Sequence, residues 1–246
     1  MNRIQNYALK TVAGILMAGS FSIGSASANN LDAVIEGIMS DRELIIVERG
    51  PSNIGDAVML VLENGRELHI SKDGNYLIAG PIYKIENGTL VDQSADRMAH
   101  LRIAKLESLD SSIAIKYEAV EEKHNIYIFT DVTCGYCKKF HAKELNKLLS
   151  NGISVNYIPY VAANYGRNYD LNDYVWCSDN PAETLTLAKN NKTGTLKTCK
   201  SKALRQGKEI GKMFGVRGTP NIAFANGDLV KGYKSAQYII NKLNNQ

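Results

Sequence analysis

The chain has 246 residues, of which 44% are hydrophobic and 22% charged, and it contains 20 Gly, 5 Pro and 4 Cys. This composition excludes collagen-like, low-complexity and disordered classes, and the length suits one large globular domain or two small ones. The formal net charge of +4 is modest, and the lysines are scattered without a dense run or an interleaved aromatic platform, so no nucleic-acid partner is expected.

Residues 1–28 predict a secretory signal peptide. Two positive charges accompany an apolar or small-residue run over residues 11–24, and Ala26-Ser27-Ala28 has the pattern of a cleavage site. A membrane anchor is the alternative, but this run is shorter than the roughly 20 residues that span a bilayer. We therefore expect cleavage near Ala28 and an exported protein.

Residues 29–92 predict a small, mostly antiparallel β unit behind one helix, with 11 acidic and 5 basic residues and a net charge of −6. Helical spacing of apolar residues predicts the helix over 31–39, and Asn64-Gly65 predicts the tight turn of a hairpin. Short strands are predicted at 44–47 (closed by Gly50-Pro51), 57–62, 68–70, 76–79, 82–85 and 90–91. A unit this small leaves strand edges to protect, so we expect it to pair with a second copy.

Residues 93–109 predict a helix, because they contain no Gly or Pro and are rich in Ala, Leu, Arg, Lys and Glu, with Asp92 or Ser94 available as the N-cap. The helix stands between a negative unit and a segment, 93–246, that holds 14 acidic and 22 basic residues for a net charge of +8. We interpret it as a rigid linker. An ordinary packed helix of the following domain is the alternative.

Residues 110–246 predict an α/β domain with a helical insertion. Strands are predicted at 125–130, 153–158, 221–225 and 229–233, helices at 134–149 and 235–243, and a long helical region over 160–214. Asn226-Gly227 predicts a hairpin turn between the last two strands. The predicted fold class is thus an α+β N-terminal unit followed by an α/β domain.

The segment Cys134-Gly135-Tyr136-Cys137 follows a predicted strand and opens a predicted helix. Backbone N–H groups and the helix dipole lower the pKa of a thiol at such a position, and only the thiolate is a good nucleophile. Cys137, one turn on, can resolve a mixed disulfide. Cys134 is the candidate catalytic nucleophile, Cys137 the resolving thiol of a redox-active pair, and Gly135 removes side-chain bulk beside the sulfur.

Two other interpretations of this pair stay open. Half of a zinc site is one, but Cys177 and Cys199 do not form a second Cys-x-x-Cys and no histidine stands at zinc-finger spacing. A purely structural disulfide is the other, although so tight a loop at a helix start is unusual. Redox chemistry without a metal or cofactor is favoured.

Cys177 and Cys199 lie 22 residues apart in the inserted helical region. In an oxidising compartment a spare pair normally closes on itself, so we expect a structural disulfide there. Two free thiols are the alternative.

The stretch FTDVTCGYCKKFH, with Gly218-Thr219-Pro220 downstream and directly before a strand, resembles the thioredoxin fold. The CGYC form followed by a helical insertion is similar to the periplasmic disulfide isomerases of the DsbC/DsbG family. Upstream, DGNYLIAGPIYKI resembles the N-terminal dimerisation domain of that family, and the helix after it resembles the family's linker.

The resemblance implies roles for particular residues and partners. Pro220 is then a cis proline, and Thr219 lies beside the active sulfurs, so that Thr219, Pro220, Gly135 and Tyr136 are expected to bind substrate. The second disulfide, between Cys177 and Cys199, is also a family feature. The expected partners are a second copy in a homodimer, misfolded disulfide-containing exported proteins as substrates, and a DsbD-like membrane thiol reductase as electron donor.

Three positions near the cysteines bear on proton transfer. Thioredoxin carries a buried carboxylate at the position that is Ile128 here. Asp131 is a weak substitute, and its Asx chemistry favours a turn or cap role. His141, a turn beyond Cys137, could affect thiol chemistry, but an exposed helix histidine is the preferred interpretation. The proton acceptor for Cys137 is left open.

The leading hypothesis is a periplasmic protein disulfide isomerase with chaperone activity. Reduced Cys134 attacks a wrong disulfide, and the substrate's own thiol or Cys137 releases the mixed disulfide. One alternative is a dimeric holdase-type chaperone with a minor redox role. Another is a thiol oxidase that donates its disulfide, which a dimerising N-terminal unit argues against, because a dimer shields the site from an oxidising partner.

Overall fold

The computed structural model describes residues 26–42, 44–63, 65–161 and 166–245. The predicted signal peptide lies outside the described residues, apart from 26–28, which open helix α1 (Ala26–Asp41). Among the helices in these ranges, none combines the length and apolar character that a membrane span requires.

The N-terminal unit is built from α1 and six short strands. They are β1 (Ile46–Pro51), β2 (Val58–Leu62), β3 (Glu67–Ile70), β4 (Leu77–Ala79), β5 (Tyr83–Glu86) and β6 (Thr89–Asp92). Strands β1 to β4 form an antiparallel sheet in chain order, and β5 and β6 form a separate hairpin. Its turn, Asn87-Gly88, has φ values of 50° and 77°, as a tight hairpin turn with two left-handed residues requires.

The core of this unit lies between α1 and the sheet. Leu31 and Ile35 on one helix face pack against Leu60 and Leu68 of the sheet. Strand β1 starts later than predicted and runs through Pro51. Because β1 lies at the edge of the sheet, the missing N–H of a proline there costs no central ladder bond.

Helix α2 (Ala95–Glu107) joins the two units and contacts both. Near its start, the guanidinium of Arg97 donates to the buried carboxylate of Glu67 in β3. Five residues further on, Arg102 Nη1 donates to the carbonyl oxygen of Gly227 at 3.1 Å. The helix is therefore held by side-chain contacts to the units on either side of it.

Within residues 110–161 and 166–245, the C-terminal unit has five strands and six helices. The strands are β7 (Ile115–Tyr117), β8 (His124–Thr130), β9 (Ile153–Pro159), β10 (Asn221–Phe224) and β11 (Leu229–Lys231). The helices are α3 (Gly135–Lys143), α4 (Leu145–Leu149), α5 (Arg167–Trp176), α6 (Pro181–Lys189), α7 (Lys202–Met213) and α8 (Ala236–Asn244). The sheet order is β11-β10-β8-β9-β7, in which β8 and β9 are parallel and the other pairs antiparallel.

Apolar residues on both sides of β8 give this sheet two buried faces. Ile126 and Ile128 belong to a cluster that includes side chains of α3, α4 and α8. Phe129 points to the opposite face and packs with Phe214 and with Leu106 of α2. The architecture confirms the predicted fold class: a small antiparallel unit, a helix, and an α/β unit with α5 to α7 inserted between β9 and β10.

Two further elements differ from the predictions. The sequence pattern does not indicate β7, a three-residue strand that pairs with β9 at the edge of the sheet. The helix predicted over 134–149 is two helices, which meet at Glu144. The Glu144 carboxylate is buried and accepts hydrogen bonds from the Tyr233 hydroxyl and from the backbone N–H of Ala236. These contacts come from distant parts of the chain, so local periodicity does not show them.

A disulfide joins Cys177, at the end of α5, to Cys199, before α7, with 5.7 Å between the Cα atoms. The buried carboxylate of Asp173 accepts hydrogen bonds from the backbone N–H groups of Cys199, Lys200 and Ser201. Since the two sulfurs are bonded to each other, they are not available as thiolate ligands beside Asp173. The bridge and the carboxylate together brace the insertion.

Removing this disulfide should destabilise the protein. We expect Cys177→Ala/Cys199→Ala to lower the free energy of unfolding by about 3 kcal/mol, because the unfolded chain loses a 22-residue cross-link. Denaturant unfolding followed by circular dichroism measures the difference. As a control, a reductant should lower the stability of the wild type to that of the variant and leave the variant unchanged. Equal stability of the two proteins under oxidising conditions contradicts the prediction.

Candidate active site

Cys134 and Cys137 lie where β8 passes into α3. After the last strand residue, Thr130, the Asp131 carboxylate accepts hydrogen bonds from the backbone N–H and the hydroxyl of Thr133. The Asp131 carbonyl oxygen accepts the N–H of Cys134 at 3.2 Å. Asp131 therefore shapes the turn, as its Asx chemistry favours, and Cys134 is the N-cap residue of α3.

The two thiols differ in exposure. Cys134 is half-buried, whereas Cys137, one turn into α3, is 1% exposed. Tyr136 is 64% exposed, and a Cβ placed on Gly135 would meet no atom within 4 Å. An approaching disulfide therefore meets the sulfur of Cys134 and not that of Cys137.

The segment Thr219-Pro220, which leads into the strand next to β8, lies beside the same sulfur. Its peptide bond is cis, and it directly precedes β10. The sulfur of Cys134 lies 3.3 Å from the Thr219 carbonyl oxygen, to which its thiol form donates a hydrogen bond. The structure thus brings Thr219 and Pro220 to the same place as Gly135 and Tyr136, the other residues assigned to substrate binding.

Hydrogen bonding makes the two thiols ionise differently. The pKa of Cys134 is lowered to about 5, chiefly by its hydrogen bond with the Cys137 side chain, with further help from the Thr219 side chain and from the backbone N–H groups of Cys137 and Tyr136. The same hydrogen bond, together with burial, raises the pKa of Cys137. At neutral pH, Cys134 is therefore a thiolate and Cys137 a thiol, as a nucleophile and its resolving partner require.

A buried lysine lies behind the two cysteines. Lys189 is the last residue of α6 and is 3% exposed. Its Nζ donates to the Thr130 hydroxyl at 2.9 Å and to the Asp131 carbonyl oxygen at 3.4 Å. Burial lowers its pKa to about 8, and interaction with Cys137, when that sulfur is ionised, opposes this shift. Sequence reasoning does not find Lys189, because it opens a polar run at a helix end that is typical of a solvent-facing surface.

His141 is buried, so the predicted exposed position is wrong. Its Nδ1 lies 3.2 Å from the Tyr157 hydroxyl and its Nε2 3.1 Å from the Thr186 hydroxyl. Burial, followed by the charge of Lys189, lowers its pKa to about 4, which leaves the imidazole neutral at pH 7. His141 stands four residues after Cys137 on the buried face of α3, and that spacing is the sequence signal for its burial.

Ile128 occupies the position at which thioredoxin carries a carboxylate. It is fully buried among apolar side chains, so it offers no proton acceptor. Among the described residues, Lys189 and Tyr157 interact electrostatically with Cys137. Burial raises the pKa of Tyr157 well above its ordinary value, so its hydroxyl stays protonated. Lys189 is the member of this pair whose charge acts on Cys137 at neutral pH.

Comparison with known proteins identifies similar chains. The family described as "Thioredoxin-like domain" matches residues 113–246. The thiol:disulfide interchange protein DsbC of Dickeya dadantii is 33% identical over 207 residues, which is 82% of this chain and 82% of that protein. The protein of the same name from Haemophilus influenzae is 31% identical over 215 residues, 86% of this chain and 89% of its own length.

The fold is also found in a solved structure. Proteus mirabilis ScsC in a transitional conformation superposes with a TM-score of 0.50 and 18% identity, over 60% of this chain and 79% of that one. At this level of identity the likeness concerns the fold alone.

The ionisation of Cys134 is directly measurable. We expect the rate of its alkylation by iodoacetamide, read by mass spectrometry, to rise with pH through a midpoint of about 5. Because folding lowers this pKa, the thiolate stabilises the folded dithiol protein. This contribution to the free energy of unfolding is complete at pH values above the ordinary thiol pKa, and it is lost as the pH falls toward about 5.

Two variants test the cause of the low midpoint. Cys137→Ala should raise it, because the hydrogen bond with the Cys137 side chain is the largest contribution. Tyr136→Phe should leave it unchanged, because Tyr136 contributes through its backbone N–H. A wild-type midpoint near the ordinary thiol value, or no effect of Cys137→Ala, contradicts this explanation.

Proposed function

This chain belongs to the DsbC family of thiol:disulfide interchange proteins, and we propose that it is a disulfide isomerase that rearranges incorrect disulfides in exported proteins and has chaperone activity. Family membership supports the reaction class, exchange between a thiol and a disulfide. The isomerase assignment rests chiefly on one observation: a half-buried thiolate at Cys134 is backed by a buried, protonated thiol at Cys137.

In the proposed reaction, the Cys134 thiolate attacks one sulfur of a substrate disulfide. A bond between Cys134 and the substrate forms as the substrate S–S bond breaks, and the second substrate sulfur leaves as a thiolate. A substrate thiolate then attacks the substrate sulfur of the mixed disulfide, a new substrate disulfide forms, and Cys134 leaves as a thiolate. The number of disulfides is unchanged, so isomerisation consumes no electrons.

Cys137 provides a second outcome. When no substrate thiol resolves the mixed disulfide, Cys137 attacks the sulfur of Cys134, and the substrate leaves with its disulfide reduced. The Cys134–Cys137 disulfide that forms has given two electrons to the substrate. A dithiol reductant must then restore the pair, and a DsbD-like membrane thiol reductase is the proposed donor.

The proposed substrate site surrounds the Cys134 thiolate. Tyr136 is largely exposed and offers a ring to an unfolded segment, while Gly135 leaves the approach open. The backbone of Thr219, next to the cis bond of Pro220, lies within hydrogen-bonding distance of the sulfur and is placed to align a substrate chain beside it.

A second copy of this chain is the proposed partner of the N-terminal unit. Tyr76, Ile85 and Leu90 are 74%, 74% and 65% exposed. An isolated two-stranded hairpin such as β5–β6 is marginally stable in water, and β4 lies at an edge of its sheet. Pairing of two copies through this unit would cover the exposed apolar side chains and the edge of β4. The proposed organisation is a dimerisation domain over 29–92, a linker helix over 93–109 and a catalytic domain over 110–246.

The proposed location is the periplasm, after removal of a signal peptide near Ala28. The charge and apolar pattern of the first 28 residues supports export. The disulfide between Cys177 and Cys199 is independent support, because structural disulfides persist in oxidising compartments.

Recovery of a protein with scrambled disulfides tests the isomerase. Cys134→Ala should abolish the recovery of active ribonuclease from its scrambled form, because the attacking thiolate is gone. Cys137→Ala should retain part of the activity, because a substrate thiol can complete the cycle. The assay measures regained ribonuclease activity in a redox buffer.

Chaperone activity supplies the control for this experiment. Cys134→Ala should still suppress aggregation of a cysteine-free client, which shows that the variant is folded and separates binding from redox chemistry. An unchanged yield of active ribonuclease with Cys134→Ala contradicts the proposed reaction and leaves the holdase alternative.

The dimer is tested at the β5–β6 hairpin, where Ile85 and Leu90 are cross-strand partners. We expect the wild type to sediment as a dimer and Ile85→Lys/Leu90→Lys as a monomer, because the substitutions place two charges in the apolar interface. Val120→Lys charges a fully exposed apolar residue of the C-terminal unit and should stay dimeric. A monomeric wild type, or a dimeric double variant, contradicts the proposal.

A further inference from the structure

Lys189 is a buried charge that the exchange steps described above do not use. It belongs to α6 in the insertion, whereas the two cysteines belong to the β8–α3 junction. Lysine is rarely buried without partners, because removing an ammonium group from water is costly. The groups around Lys189 therefore indicate what its charge does.

Hydrogen bonds tie Lys189 to the turn that leads into the active site. Its Nζ donates to the Thr130 hydroxyl at 2.9 Å and to the Asp131 carbonyl oxygen at 3.4 Å. That same carbonyl oxygen accepts the N–H of Cys134 at 3.2 Å. One peptide oxygen thus bridges the ammonium group and the backbone of the nucleophile.

Among the titratable groups around this ammonium group, Cys137 is the one whose ionised form would favour the charged lysine most. Cys137, Asp131 and Cys134 favour the charged lysine, in that order, and Lys138 opposes it. The Asp131 carboxylate is already engaged by Thr133 and by the side-chain amide of Asn172. The titratable and charged groups that face Lys189 from β8, α3 and β9 are Asp131, Cys134, Cys137, Lys138, His141 and Tyr157.

The two remaining neighbours do not compete for the charge. His141 is neutral at pH 7, and the Tyr157 ring lies 5.6 Å from Nζ with its hydroxyl protonated. Opposite charges interact strongly in such a buried environment, because little water screens them. The charge of Lys189 favours the ionised form of Cys137, so a negative charge that forms on its sulfur is stabilised from the insertion.

We propose that the buried ammonium group of Lys189 stabilises the thiolate form of Cys137 when Cys137 resolves a mixed disulfide. The proposal rests on the exchange reaction proposed above and deepens its second step. Lys189 acts here through its charge on another residue, so it is a positioning residue and not a nucleophile.

The proposed step explains how a thiol with a raised pKa becomes reactive. In the free dithiol, hydrogen bonding to the Cys134 thiolate keeps the proton on Cys137. Once Cys134 is bonded to substrate, its negative charge is gone, whereas Lys189 is still present. The Cys137 thiol gives its proton to solvent, its sulfur attacks that of Cys134, and the substrate leaves as a thiolate. In this step the Cys137 sulfur is oxidised from thiolate to disulfide, the Cys134 sulfur exchanges its bond to the substrate for a bond to Cys137, and the substrate sulfur is reduced to a thiolate.

Reaction of the reduced protein with dithiobis(nitrobenzoate) separates the two steps. Attack by Cys134 releases one coloured thiolate, and attack by Cys137 on the resulting mixed disulfide releases the second. We expect Lys189→Met to slow the second phase roughly tenfold at neutral pH, because the rate follows the thiolate fraction of Cys137. Its pH profile should also move to higher pH, and the first phase should change less.

Two variants control for packing and for total charge. Lys189→Arg keeps the buried charge and should keep a fast second phase, and Lys192→Met removes an exposed lysine and should match the wild type. A Lys189→Met second phase with wild-type rate and pH profile overturns the proposal. Equal slowing of both phases, or a Lys189→Arg variant as slow as Lys189→Met, also overturns it. A wild type without the first phase overturns the proposed function instead.

Discussion

The hydrogen bond between the Cys134 and Cys137 side chains is the largest contribution to the low pKa of Cys134. It has this effect because the two sulfurs lie in different environments: one is half exposed and faces backbone N–H groups, and the other is buried. Negative charge therefore collects on the sulfur that a substrate can reach, and the proton stays on the sulfur that it cannot reach. Each proposed step of disulfide exchange depends on this separation of charge.

The separation of charge between the two sulfurs depends on segments that are distant from one another in the chain. Strand β8 is buried on both faces, and this packing fixes the position of its C-terminal end. The turn at Asp131 begins there and leads into α3. The cis segment before β10 brings the Thr219 side chain, which helps to lower the pKa of Cys134, to the exposed sulfur. The insertion, which the Cys177–Cys199 disulfide cross-links, places Lys189 in hydrogen-bonding contact with the Asp131 turn. The electrostatics of the site are thus set by three separate segments.

Local signals in the sequence were sufficient for some of these features. Cys134 and Cys137 are predictable, because a strand followed by a helix start creates the electropositive environment of a reactive thiol. The hairpin turn at Asn226-Gly227 is predictable for a similar reason, since the backbone conformation of a tight hairpin favours Asn-Gly. Both are decided by neighbours in the chain.

Features that depend on contacts between distant residues were not predictable. Glu144 divides a predicted helix because its carboxylate binds the chain before α8, and β7 forms because β9 offers it an edge. His141 and Lys189 look like surface residues in the local sequence, but packing of α6 against β8 and α3 buries both. Lys189 is the clearest example, since its partners are Thr130 and Asp131, far from it in the chain.

Whether this protein works as a reduced dithiol is tested most directly by its redox state in cells. Acid-quenched cells treated with an alkylating mass tag report the reduced fraction of Cys134 and Cys137, with the Cys177–Cys199 disulfide as the oxidised reference. We expect the Cys134–Cys137 pair to be mostly reduced, as an isomerase requires. A mostly oxidised pair would contradict the isomerase assignment and identify a thiol oxidase.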